Sequence, residues 1–269
     1  MVTSKSSLHR TALLALSLGL VIPIGFPVLA QEQMLNQRGL ARSKASTEET
    51  HSSSARTYSS VVSQARAIRF PAVGTPRRRE GAAVRGGCDF TDEKPIALLP
   101  ATEPVLTAAE YPTFFVDLPQ TSATEAELLL LSSKKEQIVY ETTVTLPGKS
   151  GIVSFSLPAD GTLPPLEEGK SYYWQLSILC GSQDQEEYMF VEGPVQRVEL
   201  DPNLVDELKK APLREHPAIY AEAGIWYDTI TSLAQLRRSS PNDSTIAADW
   251  AELLKSVGLD AVAQKPLIP

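Results

Sequence analysis

The chain is poor in the side chains on which recognisable chemistry depends. It has two cysteines, three histidines and three methionines in 269 residues. Neither cysteine stands in a C-x-x-C pair and no Cys/His cluster has ligand spacing, so the motifs of a zinc finger or a thioredoxin-like site are excluded. There is no G-x-S-x-G elbow, no nucleotide-binding loop and no ordered D-x-D-x-D-G calcium loop. The commoner routes to nucleophilic, phosphoryl and metal chemistry therefore leave no mark here.

Long apolar runs are equally scarce. The one that exists, Thr11 to Ile24, follows Lys5, His9 and Arg10 and precedes Val28-Leu29-Ala30. A basic start, a short apolar stretch and an A-x-A-like site make the pattern of a secretory signal. Pro23, Gly25 and Pro27 interrupt the run before the ~20 residues that a membrane span requires. We expect residues 1–30 to be removed near Ala30, leaving no transmembrane anchor in the mature chain. No cysteine sits at the cleavage point, which argues against lipid attachment. The expected location is the periplasm or the outside of the cell, where disulfides persist.

Charge is unevenly placed. Residues 31–87 hold ten Lys/Arg against four Asp/Glu, whereas residues 88–269 hold thirteen against twenty-eight. The net charge of −7 thus conceals a basic arm and an acidic body. The arm carries Ser52-Ser53-Ser54 and Arg77-Arg78-Arg79 but lacks the apolar periodicity that would offset its ordering entropy. Residues 31–85 are expected to form a disordered basic linker. The acidity of the body makes nucleic acid an unsuitable partner.

From residue 95 to 200 the pattern has period two and is broken by Pro119, Pro147-Gly148, Pro158, Pro164-Pro165 and Gly169. Phe114, Val116 and Leu118 alternate with Thr113, Phe115 and Asp117, and Val153, Phe155 and Leu157 with Ile152, Ser154 and Ser156. Further strands are expected at 127–131, 138–145, 172–180, 187–192 and 195–199. Seven or eight short strands at this spacing predict an antiparallel sandwich of the immunoglobulin or fibronectin kind over residues 86–200. The strand Tyr172 to Cys180 is the most informative. Tyr172, Trp174, Leu176, Ile178 and Cys180 share one face, and we assign Tyr172, Trp174, Leu176 and Ile178 to the core. The turn before it, Leu166 to Ser171, resembles the entry to a late strand of such sandwiches. Cys88 opens the region and Cys180 ends this strand, so a Cys88–Cys180 disulfide is expected in an exported chain. Closing about ninety residues contributes roughly 4–5 kcal/mol on chain-entropy grounds.

After Glu199 the period becomes helical, which makes the fold class α+β with a C-terminal helical segment over residues 201–262. Asp201 and Pro202 are an N-cap and N1 pair for a helix through Lys210. Further helices are expected at 218–223 and at 226–237, with a last one capped by Ser244, running through Val257 and ended by Gly258. Gly224, Trp226, Ile230, Leu233, Leu236 and Pro241 resemble the second helix of a tetratricopeptide repeat, with Thr229 where that family has a small alanine. A lone unit of this kind cannot bury its own faces, so it should pack on the sandwich or on another protein. Tyr220, Trp226 and Tyr227 are therefore candidate contacts for a partner.

Several stretches together resemble one family. Gly86-Gly87-Cys88, Gly151 to Ser154, Gly169 to Trp174, Cys180, Val191 to Val198 and Gly224 to Asp228 are similar to the cyanobacterial domain-of-unknown-function family 928, over about residues 86–260. The resemblance implies an exported cyanobacterial protein without an established activity, and it supplies no catalytic residues.

Function is consequently argued by class. His216 is the one histidine of the body, and a Ser-His-Asp site would have to use it. Acidic pairs such as Glu125 and Glu127, or Asp184 with Glu186 and Glu187, have the residue types of glycoside chemistry without showing its separation. The turn 181–187 is rich in oxygen ligands for calcium but lacks loop spacing. No catalytic residue, cofactor or metal ligand is assigned. The leading expectation is a non-enzymatic adaptor that docks another exported protein. A cell-envelope polysaccharide-binding module using Tyr111, Tyr140, Tyr173 or Tyr188 is the alternative, and an acidic-residue hydrolase comes third.

Overall fold

Two β-sheets and a C-terminal set of helices make a mixed α+β fold in the computed structural model, which describes residues 68–71, 82–84, 93–101, 103–179 and 188–268. All of these belong to the unit Val61–Pro269. The strands are β1 (Ala82–Val84), β2 (Ile96–Ala97), β3 (Leu106–Thr107), β4 (Thr113–Leu118), β5 (Glu125–Ser132), β6 (Ile138–Thr145), β7 (Gly151–Ser156), β8 (Ser171–Leu179) and β9 (Tyr188–Arg197). The helices are α1 (Pro202–Lys210), α2 (His216–Glu222), α3 (Trp226–Ser239) and α4 (Ser244–Ser256). The large sheet runs β1-β9-β8-β5-β6 and gains β3, which lies parallel to β9. The small sheet runs β2-β4-β7.

Alternation explains how the large sheet is used. Tyr172, Trp174, Leu176 and Ile178 of β8 lie on its buried face with Ala126, Leu128 and Leu130 of β5 and Val191 and Val195 of β9. The opposite face carries Glu127, Leu129, Tyr173, Gln175 and Glu192 and is partly open. Trp174 has no exposed surface and stacks on Phe114 of β4, with centroids 5.0 Å apart. The two sheets therefore meet through apolar faces, as an amphipathic sheet requires. Gly193 faces Trp174 across the β8–β9 pair. A Cβ there would lie 2.4 Å from Leu99 Cδ1 and 2.9 Å from Trp174 Nε1, so this strand position has room only for glycine.

The small sheet is covered on both sides. Phe114, Val116 and Leu118 of β4 are buried, and so are Phe115 and Asp117 between them. The reason is helical: Phe115 meets Trp250 of α4 edge-on, with centroids 6.4 Å apart. Residues 266–268 also lie along β7, where Ile152 N donates to Pro266 O and Ile268 N donates to Ile152 O, both at 2.8 Å.

Three expectations change. Trp226 and Tyr227 are not partner contacts, since they are 0% and 2% exposed. Trp226 Nε1 donates to Leu98 O at 2.9 Å, and Phe70 meets its ring edge-on. The helices cover their faces on the sheets of their own chain, which is the simplest way for an incomplete repeat to bury its stripe. Second, the strand pairing is not wholly antiparallel, because β3 pairs parallel to β9 and Leu267 parallel to Ile152. The strands expected at 187–192 and 195–199 form one strand, β9, running through Gly193 and Pro194. Third, the segment expected as a linker contributes at two places. Ile68 and Phe70 are buried, and β1 pairs with β9. The signal segment 1–30, most of the arm, Cys88, Cys180 and the acidic turn 181–187 lie outside the described residues.

Candidate functional site

Helix α3 begins where the sequence gives it a reason to. Gly224 has φ of +74°, a left-handed value that lets the chain reverse between α2 and α3. The first turn of α3 then carries Trp226, Tyr227 and Asp228 in succession, and they diverge at about 100° per residue. Trp226 goes to the core under Leu98, Tyr227 to the large sheet and Asp228 to the segment after β3. Three consecutive residues thus bind three different parts of the fold.

Tyr227 is the buried joint. Its hydroxyl accepts from Trp174 Nε1 at 2.8 Å and donates to Pro194 O at 2.7 Å. Burial holds its pKa far above that of an ordinary tyrosine, with the Trp174 hydrogen bond opposing. Asp228 holds the segment after β3. Its Oδ2 accepts from Thr107 Oγ1 and from Ala108 N, each at 2.9 Å, while Thr107 Oγ1 accepts from Ala109 N at 3.1 Å. Burial raises the Asp228 pKa, and the bonds from Ala108 and Thr107 oppose that rise. A carboxylate in the first turn of α3 also faces the positive end of the helix dipole.

Beside this carboxylate lies a cleft of about 220 Å³, bounded by residues 107–113 on one wall and by α2 and α3 on the other. Tyr111, His216, Tyr220, Asp228 and Gln235 line it. Tyr111 is fixed by its hydroxyl, which donates to Leu163 O at 3.3 Å. Tyr220 and His216 meet edge-on with centroids 6.5 Å apart. The Tyr220 phenol is raised by burial and then by the Asp228 charge. The cleft falls below the roughly 300–1,000 Å³ of drug-sized ligand pockets, so one ring or one side chain is the natural size of its occupant. Aromatic walls, hydroxyls and a carboxylate suit an uncharged polyhydroxylated ring or a cationic group.

Nucleophilic catalysis is not assembled here. His216 Nε2 lies 3.3 Å from Ala211 O, and Ser232 Oγ donates to Asp228 O at 2.6 Å. The serine and the histidine are each committed to backbone, so no serine–histidine relay links them. Glu125 and Glu127 occupy alternate positions of β5 on either side of Ala126, the first exposed and the second half-buried on the open face of the large sheet. Glu127 is raised by desolvation and by Glu141, to which it is hydrogen-bonded. Neither residue lines the Asp228 cleft, the cavity beside Asp117 and Lys265 or the one beside Arg69 and Glu252. Among the described residues no group of three His, Cys, Asp or Glu could hold a metal ion. Likewise no described helix is long and apolar enough to cross a membrane.

The aromatics singled out in the sequence separate by place. Tyr111 and Tyr220 reach the cleft. Tyr140 is half-buried on β6, Tyr173 lies under Lys135 Nζ at 4.5 Å, and Tyr188 is beside Phe190. Asp228 was not anticipated as a site residue, although it ends the Gly224 to Asp228 stretch; an acid in a first helical turn is an ordinary capping signal. Its partners Thr107 and Ala108 are 120 residues away or more, beyond the reach of local pattern.

No curated protein and no solved structure matches the chain. Residues 80–267, well over half of it, match one family model, and the chain belongs to the family described as Domain of Unknown Function (DUF928).

Proposed function

We propose that the chain is a non-enzymatic binding module, exported behind residues 1–30 to the periplasm or beyond, that holds one ring of an envelope polysaccharide in the Asp228 cleft. The observation that carries this reading is the convergence of Tyr111, Tyr220 and His216 around the half-buried Asp228 carboxylate, in a space of about 220 Å³. Aromatic faces stack on the apolar face of a sugar ring while carboxylate and hydroxyl groups bond its edge. We further propose that the two sheets form a divergent immunoglobulin-like pair serving as the rigid scaffold. Support for this comes from the Trp174–Phe114 contact between them.

A second reading, an adaptor for another exported protein, is favoured by an exposed leucine in the turn before His216. Leu213 is 73% exposed in the turn that leads into His216, so a protein side chain could enter the cleft with apolar contact outside it. Retention of the chain from residue 31 on envelope polysaccharide tests both. Tyr220→Ala and Asp228→Asn should each reduce retention at least tenfold while far-UV dichroism is unchanged. Unaltered retention sinks the polysaccharide reading. Capture of a protein that Leu213→Asp abolishes would favour the adaptor.

A further inference from the structure

The fold covers most of its sheet edges but not one of the longest. β9 is flanked by β1 and β3, and β7 is flanked by residues 266–268. β6 pairs with β5 alone among the described residues, so the backbone groups on its other side have no strand to meet. An eight-residue edge of this kind is normally guarded by lysine, proline or a covering segment. Here the sequence is Ile-Val-Tyr-Glu-Thr-Thr-Val-Thr, β-branched or aromatic at every position except Glu141. Ile138 is 58% exposed and Val139 39%. Both stand at the irregular start of the strand, where the β5–β6 register shifts.

We propose that β6 is a self-association edge, pairing antiparallel with β6 of a second copy about a two-fold axis at Thr142. Geometry and charge select this occupant and register. Directly opposed residues must lie on the same face, so in a two-fold antiparallel pair some residue faces its own copy. With Glu141 on the axis, two carboxylates would oppose each other, next to Glu127, which Glu141 already raises. With Thr142 on the axis, Glu141 faces Thr143 and Tyr140 faces Val144, an aromatic and β-branched pair. The regular stretch Tyr140 to Val144 then pairs without a like-charge contact, Val139 standing outside it at the irregularity. Moving the axis to Thr143 leaves Tyr140 opposite Leu146, beyond the end of the strand. A two-fold pairing uses the same edge of both copies, so it closes as a dimer rather than extending as a fibre, and β7 is met by residues 266–268 at Ile152. One strand edge buries less than the ~1,200–2,000 Å² of standard interfaces, so the dimer should be reversible and dependent on concentration.

Sedimentation equilibrium of the chain from residue 31, at ~5–500 μM, should show monomer and dimer exchanging. Thr142→Cys should form a covalent dimer under mild oxidation, because opposed Cβ atoms are ~4.5–5.5 Å apart. Val139→Cys should not, since it stands at the irregular start of the strand, away from the axis. Thr142→Lys should abolish the dimer. Thr143→Lys, which gains Glu141 of the second copy as its opposite, should tighten it about two- to tenfold. The wild-type chain and Thr143→Lys provide readouts even if another variant fails to fold. A monomer throughout this range overturns the proposal, and so does a dimer indifferent to Thr142 and Thr143. A β6-dependent complex with a different protein, the chain itself staying monomeric, also overturns it.

Discussion

Replacing Tyr227 with Phe removes one oxygen from the point where α3 is fastened to both strands of the β8–β9 pair. That hydroxyl satisfies Trp174 Nε1 at 2.8 Å and Pro194 O at 2.7 Å. Tyr227 is 2% exposed and Trp174 has no exposed surface, so water does not replace the partner of Trp174 Nε1, while Pro194 is half-buried. Leaving a buried donor or acceptor unpaired costs about 1–3 kcal/mol. A fully buried orphan donor and a half-buried orphan acceptor therefore set the expected loss at about 2–5 kcal/mol, with no carbon removed and no hydrophobic cavity to confuse the reading. For a unit of this size each kcal/mol lowers Tm by about 2–4 °C, giving a fall of roughly 4–20 °C. Urea unfolding followed by tryptophan fluorescence and by far-UV dichroism measures the loss, and coincident curves would show that helices and sheets unfold together. A loss under about 1 kcal/mol would refute the joint. A Tyr227→Phe and Trp174→Phe double-mutant cycle isolates their shared bond, and additivity there would refute it as well.

Other expectations follow from the same contacts. Because burial raises the Tyr227 pKa, the unfolded chain releases this proton at a pH where the folded chain keeps it; stability should fall as pH rises through about 10. Ultraviolet titration should find a tyrosine that ionises only on unfolding, and free titration of all tyrosines in the folded chain would contradict this. Asp228 is also raised, so its charge costs stability above the unfolded value near 3.8, a cost complete once pH has passed the folded value. Asp228→Asn should therefore be no less stable than wild type at pH 7, whereas Asp228→Ala, which orphans Ala108 N, should lose about 1–3 kcal/mol. Gly193→Ala should cost about 1–3 kcal/mol or more through the Leu99 and Trp174 contacts; an unchanged urea midpoint would show that the neighbours give way freely. Asp243 caps α4 by accepting from Thr245 N and Ile246 N, and Asp243→Ala should lose about 1 kcal/mol in the same assay.

Local pattern was enough wherever a residue's partner lies within one element. Alternation in Tyr172 to Ile178 placed these four side chains on one face, and they are buried. Asp201-Pro202 marked the start of α1, whose N-cap oxygen accepts from Asn203 N. The cap of α4 falls at Asp243 rather than Ser244, one residue earlier, because an aspartate there reaches two free N–H groups at once. The break expected between Glu192 and Val195 does not occur. Gly193 and Pro194 are read locally as a turn, but Trp174 occupies the space that a side chain at 193 would need, and β9 passes through.

What the sequence determined by itself is the class of element at each position: period-two strands up to Glu199 and helices after it, and the family, through short stretches spread from Gly86 to Asp228. Only the tertiary structure decided what the helices do. Trp226 and Tyr227 have the same chemical character whether they meet a partner or the chain's own sheet. Their choice rests on Leu98, Trp174 and Pro194, each at least 33 residues distant. The Asp228 cleft arises in the same way, since its walls are 120 residues apart along the chain and local pattern carries no information about that separation.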